Sequence, residues 1–247
     1  MGADSLYTGM AGLQAIDARM QAASSNLANL QTPGYAAVQA MAEAAPYTGA
    51  NAPVGADAVA VTPNPDTQPG PLSQTGDPLD IGVAGNAWLE VQTPAGNALT
   101  RNGSLQITSA GILADSSGNP VLNTAGQPIS VPTLTKLEIG TDGTISGVPA
   151  GQANMTAQVY GQINLVATPS GTMTPLGGSL LAPPAGAALQ PASDGSLHQG
   201  YLNGSNVDPT QAMMEMIADS RSYQLQTQLM KTHSNTDQNL NTLLAQG

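Results

Sequence analysis

Few side chains in this 247-residue sequence have the type and spacing that chemistry requires. His233 and Asp237 stand four positions apart, one helical turn, where an imidazole and a carboxylate can share a proton in acid–base work. No Ser or Cys nucleophile motif accompanies them, so the pair has nothing evident to activate. His198 is alone in a Gly-rich stretch, and two His with no Cys give too few ligands for a transition-metal site. Asp194, Asn203, Asn206 and Asp208 form an oxygen-rich group, but their spacing departs from a calcium loop, and turn and cap roles account for them. Gly177-Gly178-Ser179 lacks the Lys and the following helix of a phosphate loop. The expectation is a protein that is not an enzyme, with no cofactor, no metal and no small-molecule substrate.

The remaining composition narrows the class further. Five Lys plus Arg against sixteen Asp plus Glu give a formal charge of -11, which repels a phosphate backbone and argues against nucleic acid. With no Phe, 3% aromatic and 9% charged residues, the interior must be filled by Val, Ile, Leu, Met and Ala, beneath a polar but weakly charged surface. The absence of Cys excludes disulfides, so packing and assembly must supply stability. The opening MGADSLYTGM carries Asp where a secretory signal carries Lys or Arg, and no cleaved signal is expected.

The elements that would position these groups fall into four segments: 1–35, 36–76, 77–200 and 201–247. In the first, Leu6, Leu13, Met20 and Leu27 recur every seven residues, with Gly9, Ile16, Ala23 and Leu30 as a second row, a pattern that predicts a coiled-coil helix over 4–30. Pro33-Gly34 stops it. Segment 36–76 is rich in Pro, Gly, Ala and Thr without useful periodicity and reads as an extended linker arm. Segment 77–200 alternates short apolar runs with turn dipeptides such as Asn102-Gly103, Asp142-Gly143 and Asp194-Gly195, which predicts an inserted antiparallel β domain. The last helix starts at Asp208, a capping residue, and Pro209, which fits the first helical position. Met216, Tyr223, Met230 and Leu244 share one heptad row of it, while Leu225, Leu229, Leu240 and Leu243 form a second apolar face. The expected fold is α+β, with long N- and C-terminal helices pairing as a coiled coil around the inserted β domain.

The segment Ser25-Asn26-Leu27-Ala28-Asn29-Leu30-Gln31-Thr32-Pro33-Gly34-Tyr35 resembles the S-N-L-A-N-x-x-T-P-G-aromatic signature of the flagellar basal-body rod proteins. Leu202-Asn203-Gly204-Ser205-Asn206-Val207 looks like that family's L-x-x-S-N-V opening of the terminal helix. Pro78 to Ile81, Gly85 to Trp88, Thr100 to Gly103 and Asp142 to Ser146 fall in the family's order between them. Ala36-Ala37 departs from the pattern, since Lys or Arg is common there. Within the family, the Thr-Pro-Gly form and Leu6-Tyr7-Thr8 look more like the proximal-rod type than the distal-rod or hook type. The resemblance implies a structural rod subunit, needed for motility, that self-assembles through terminal helices forming an inner layer of a hollow axial tube. It also implies passage through the type III export apparatus, a place in the periplasmic rod of the basal body, and other rod proteins and copies of itself as partners.

Under that reading Leu6, Leu13, Ile16, Met20, Asn26, Leu27, Asn29, Met216, Tyr223, Met230 and Leu244 are the candidate subunit contacts. Pro33, Gly34, Trp88, Asp208 and Pro209 have structural roles. Asn26 and Asn29 also fit simple capping of the helix end, and Trp88 fits a core anchor as well as an interface. A secreted β-domain binding module is the competing function, and would show as a stable monomer with a ligand groove.

Overall fold

A computed structural model describes residues 2–46, 57–132, 134–150 and 156–244. Helix α1 spans Gly2–Ala28 and helix α2 Pro209–Leu244. Between them run β1 (Val38–Pro46), β2 (Asp57–Pro65), β3 (Leu72–Gln74), β4 (Ile81–Ala84), β5 (Ala87–Thr93), β6 (Gly96–Thr100), β7 (Leu105–Ile107) and β8 (Leu113–Asp115). They continue as β9 (Leu134–Ile139), β10 (Thr144–Pro149), β11 (Gln158–Gln162), β12 (Leu165–Ala167), β13 (Thr174–Gly177), β14 (Leu180–Ala182), β15 (Ser196–Gln199) and β16 (Tyr201–Asn203). The chain divides into two compact units: Met1–Leu27, Val38–Asn64 and Asp208–Gly247 form a helical unit, and Ala28–Ala37 with Pro65–Val207 form a β-rich body.

The body is built from several antiparallel sheets. Its largest has the order β12-β5-β6-β14-β13, and β11-β10-β9 forms a three-stranded sheet beside the pairs β15-β4, β16-β3 and β7-β8. Strand β5 shows why the body closes. Its alternating side chains feed two apolar clusters: Ala87, Leu89 and Val91 join one with Ile81, Val83 and Ile145, while Trp88 joins another with Leu99, Val166 and Met173. Both faces of this strand are therefore buried, and the run Ala87 to Val91 is fully covered. Glu90 is covered too, and its carboxylate is held by Asn97 Nδ2 and Asn164 Nδ2, each at 2.7 Å. A buried carboxylate without such donors would be strongly unfavourable.

In the helical unit β1 and β2 form a two-stranded sheet, so segment 36–76 carries strands that its composition does not announce. The coiled coil expected from the heptad rows is not formed. Among described side chains, α1 meets α2 at Gly9 and Gly12, beside Met230 and Gln226, and at the Arg19 Nε–Asp219 Oδ1 ion pair of 3.3 Å. Low numbers on α1 meet high numbers on α2, so the helices run antiparallel. The reason is chemical: Asp219 and Gln226 stand on the side of α2 that faces α1, and the two glycines supply no knobs for a hole. Gln226 Nε2 instead donates to Gly9 O at 3.4 Å. Among the described side chains of α1, Ile16 and Ala23, members of the second heptad row, are the buried apolar residues, whereas Leu13, Met20 and Leu27 are half-buried.

Two measurements probe this body. Trp88 is fully covered, donates from Nε1 to Thr168 Oγ1 at 2.9 Å and stacks under Arg101, so Trp88→Ala is expected to lower stability by about 3–5 kcal/mol in thermal unfolding. In the β9–β10 turn, the Thr144 hydroxyl and then its amide donate to Asp142, which holds that exposed carboxyl below its ordinary 3.8. A depressed folded pKa means the stabilisation is present above 3.8 and is lost as pH falls through the folded value. An NMR titration should show Asp142 ionising below 3.8, and Thr144→Val should move it back towards that value.

Candidate assembly surfaces and the junction that holds them

The chain enters and leaves the β-rich body through three segments, and a few side chains tie them together. Tyr35 N donates to Thr32 O at 3.2 Å across Pro33-Gly34, with φ of 67° at Gly34. That is a type II turn, with Pro at its first central position and Gly where positive φ is required. Gly34 also lies against the backbone of Arg101 and Asn102, so closely that a Cβ there would overlap Asn102 N. Its own amide donates to Asn203 O at 2.9 Å. Gly103 repeats the device, since a Cβ on it would overlap Ile81 O. Glycines in two distant motifs thus let three stretches of backbone touch.

Asparagine amides complete the junction. Asn203 is buried, with Oδ1 accepting from Val83 N at 2.7 Å and Nδ2 donating to Val83 O at 2.9 Å. Asn206 Oδ1 accepts from Ala37 N at 2.6 Å, and its Nδ2 donates to Asp66 O at 3.2 Å and Gln68 O at 2.9 Å. Within the helical unit Asn26 does the same for the start of β1: Val38 N donates to its Oδ1 at 2.8 Å and its Nδ2 donates to Val38 O at 2.9 Å. Asn203 and Asn206 are therefore backbone clamps, not the turn and cap residues that their sequence context suggests. The signal available in sequence is Asn203 ending the strand Tyr201-Leu202-Asn203, where an amide needs a partner if it is covered.

Arg101 supplies the cation of this junction. Its Nε donates to Ala87 O at 3.0 Å, its Nη1 donates to Thr67 O, and its Cζ lies 4.0 Å from the Trp88 ring centroid. Burial pushes the guanidinium down to about 10, partly offset by Asp66, and it stays charged at neutral pH. Sequence reading placed Arg101 in a motif without giving it a role.

The candidate contact residues separate into different environments. Asn26 is buried in its clamp, and Asn29 Oδ1 accepts from Thr32 Oγ1 at 3.0 Å. Met216 and Met230 are half-buried, the latter against Gly9, and Tyr223 is 42% exposed. Leu6 lies in α1 and Leu244 ends α2, but their side chains, like those of His233 and Asp237, lie outside the described residues. Asp208 Oδ1 accepts from Thr210 N at 2.8 Å and Gln211 N at 3.2 Å, and Pro209 is the first residue of α2.

The feature with most capacity for association is a different face of α2. Met213, Met214, Ile217, Leu225 and Leu229 are all at least half exposed, between 50% and 64%. Met213, Met214, Ile217 and Leu225 share the side of the helix away from Asp219 and Gln226, with Leu229 at its edge, and together they form a broad apolar surface on a 36-residue rod. No three His, Cys, Asp or Glu side chains converge as a metal site among the described residues.

Three family models match the chain: a flagella basal body rod protein model over residues 6–35, a flagellar hook protein FlgE/F/G D1 domain over 82–147, and a flagellar basal body rod FlgEFG protein C-terminal model over 198–243. The chain is 34% identical over 241 residues to the flagellar basal-body rod protein FlgF of Escherichia coli K12, covering 95% of this chain and 94% of the relative. It is 29% identical to FlgF of Mesorhizobium japonicum, over 97% and 98% of the two chains. The flagellar basal-body rod protein FlgG of Bacillus subtilis is 29% identical, over 92% and 94%. Gly34, Arg101 and Asn203 fall one in each of the three matched stretches.

Asn203→Ala removes partners from both polar groups of Val83 in a buried setting, each deficit costing about 1–3 kcal/mol. Chemical denaturation of the purified variant should show a lower midpoint, with loss of hydrogen-exchange protection at Val83.

Proposed function

This chain belongs to the flagellar basal-body rod protein family and is a structural subunit of the rod, and from that premise we propose that α2 is its main docking element. The observation that carries the reading is the exposed row Met213, Met214, Ile217, Leu225 and Leu229. Apolar patches of this extent on a monomer mark association surfaces, and covering the exposed half of these side chains would stabilise an assembly by about 1–2 kcal/mol each. At 1.5 Å per residue α2 extends roughly 54 Å, more than packing onto α1 alone requires.

Family membership supports assembly with other rod components in the basal body. Its finer setting we take to be the periplasmic section of the rod, reached through the type III export apparatus. Absence of Cys fits such a route, because no disulfide must form before or after threading. The marginal α1, with Gly9 and Gly12 in its interior, fits helices that gain order when neighbours supply burial. The role is mechanical, with no substrate turned over.

Charges placed on the exposed row test the reading. Ile217→Glu with Leu225→Glu is expected to abolish incorporation into basal bodies and swimming, while circular dichroism and the melting of the β-rich body stay as in the parent. Normal incorporation would remove α2's outer face from the assembly.

A further inference from the structure

Helix α2 carries an unpaired cation on one face and acids on another. Arg221 is exposed and makes no ion pair among the described residues. Its neighbours one turn away, Ile217, Ala218, Gln224 and Leu225, hold no carboxylate. Glu215 also lacks a cation among the described residues, its Oε1 accepting only from Gln211 Nε2 at 2.8 Å. With 3.6 residues per turn, Arg221 points roughly 120° away from Glu215 and roughly 160° away from Asp219. These groups cannot meet within one molecule.

The acids open onto a cleft of about 310 Å³ in the helical unit, between α1, α2 and the first residues of β1. Glu215 and Asp219 outnumber Arg19, so its charge is negative by one. Alanines 22, 23, 40 and 218, with Val38 and Gln39, line the rest, and the alanines leave room for an inserted side chain. An apolar wall beside carboxylates suits an arginine, whose stem lies on alkyl surface while its planar fork binds oxygens in pairs. The chain's other cations fit less well: Arg19 is already paired, Arg101 is buried, and Lys136 and Lys231 lack the fork. Arg221 alone stands between two exposed apolar residues, Ile217 and Leu225, on the face expected to be covered.

We propose that this cleft receives Arg221 from α2 of a second copy of the chain, its guanidinium bound by Glu215 and Asp219. Plug and socket occupy different faces of one subunit, so the contact is heterologous and repeats head to tail instead of closing on a two-fold axis. The proposal rests on the reading that α2's outer face is covered on assembly, and adds which surface covers it.

Because the chain has no Cys, Glu215→Cys and Arg221→Cys each introduce a single thiol. Expressed together in place of the parent and treated in isolated basal bodies with a bis-maleimide whose spacer matches the reach of an arginine–glutamate pair, the two variants should yield a covalently linked dimer that neither yields alone. Incorporated variants that fail to cross-link, or a single variant that dimerises as well as the mixture, would overturn the contact. Arg221→Glu and Glu215→Arg should each lower basal-body content about tenfold or more, and together restore it. A photo-cross-linking residue at Ala218 should capture a second copy, and capture of a different rod component instead would overturn the choice of occupant. If Arg221→Glu incorporates normally while Ile217→Glu with Leu225→Glu does not, this contact fails and the role of the outer face stands.

Discussion

A side-chain amide presents an acceptor and a donor in one plane, the same pattern as a peptide group, and the architecture here depends on that equivalence. Asn203 gives Val83 both hydrogen bonds that a neighbouring strand would give, which satisfies the far edge of β4 while β15 pairs its other edge. Asn206 binds Ala37, Asp66 and Gln68, and so fixes two other passages of the chain from one side chain. Asn26 fixes the start of β1 by the same pair of bonds. Buried amides used in this way specify a single arrangement, because a displaced chain would leave donors and acceptors unpaired on both partners.

The consequence is a division of labour. The β-rich body holds large apolar clusters around both faces of β5 and closes its chain passages with polar bonds, so its core is closed within one molecule. The helical unit is not closed in this way. Among the described residues its helices touch through Gly9, Gly12, Gln226, Met230 and one ion pair, while Met213, Met214, Ile217, Leu225 and Leu229 remain exposed. A rod subunit needs this asymmetry, since one part must keep its shape while another leaves burial unfinished until partners arrive.

Helix ends and turns are legible in the sequence because their chemistry is local. Pro33-Gly34 encodes the turn after α1, Asp208-Pro209 the start of α2, and Asp142-Gly143 the β9–β10 turn. The pairing of the helices is not legible, because a heptad row states only which side chains share a face and not what opposes them. On α2 Met230 of that row packs against Gly9 of α1 while Tyr223 of the same row is exposed, and the broader apolar face of Met213, Ile217 and Leu225 looks outward. Strands β1 and β2 escape notice because Ala, Thr and Pro give no alternation of apolar and polar positions. The clamps at Asn203 and Asn206 depend on residues more than a hundred positions away, and no local pattern reports such partners.

Solvent access at Leu225 tests the central claim that α2's outer face is covered by assembly. In an otherwise Cys-free chain, Leu225→Cys can be labelled with a maleimide in the free monomer and in purified basal bodies. Rapid labelling of the monomer with strong protection in the basal body is the expected result. Equal labelling in both, in a variant that incorporates normally, would contradict it.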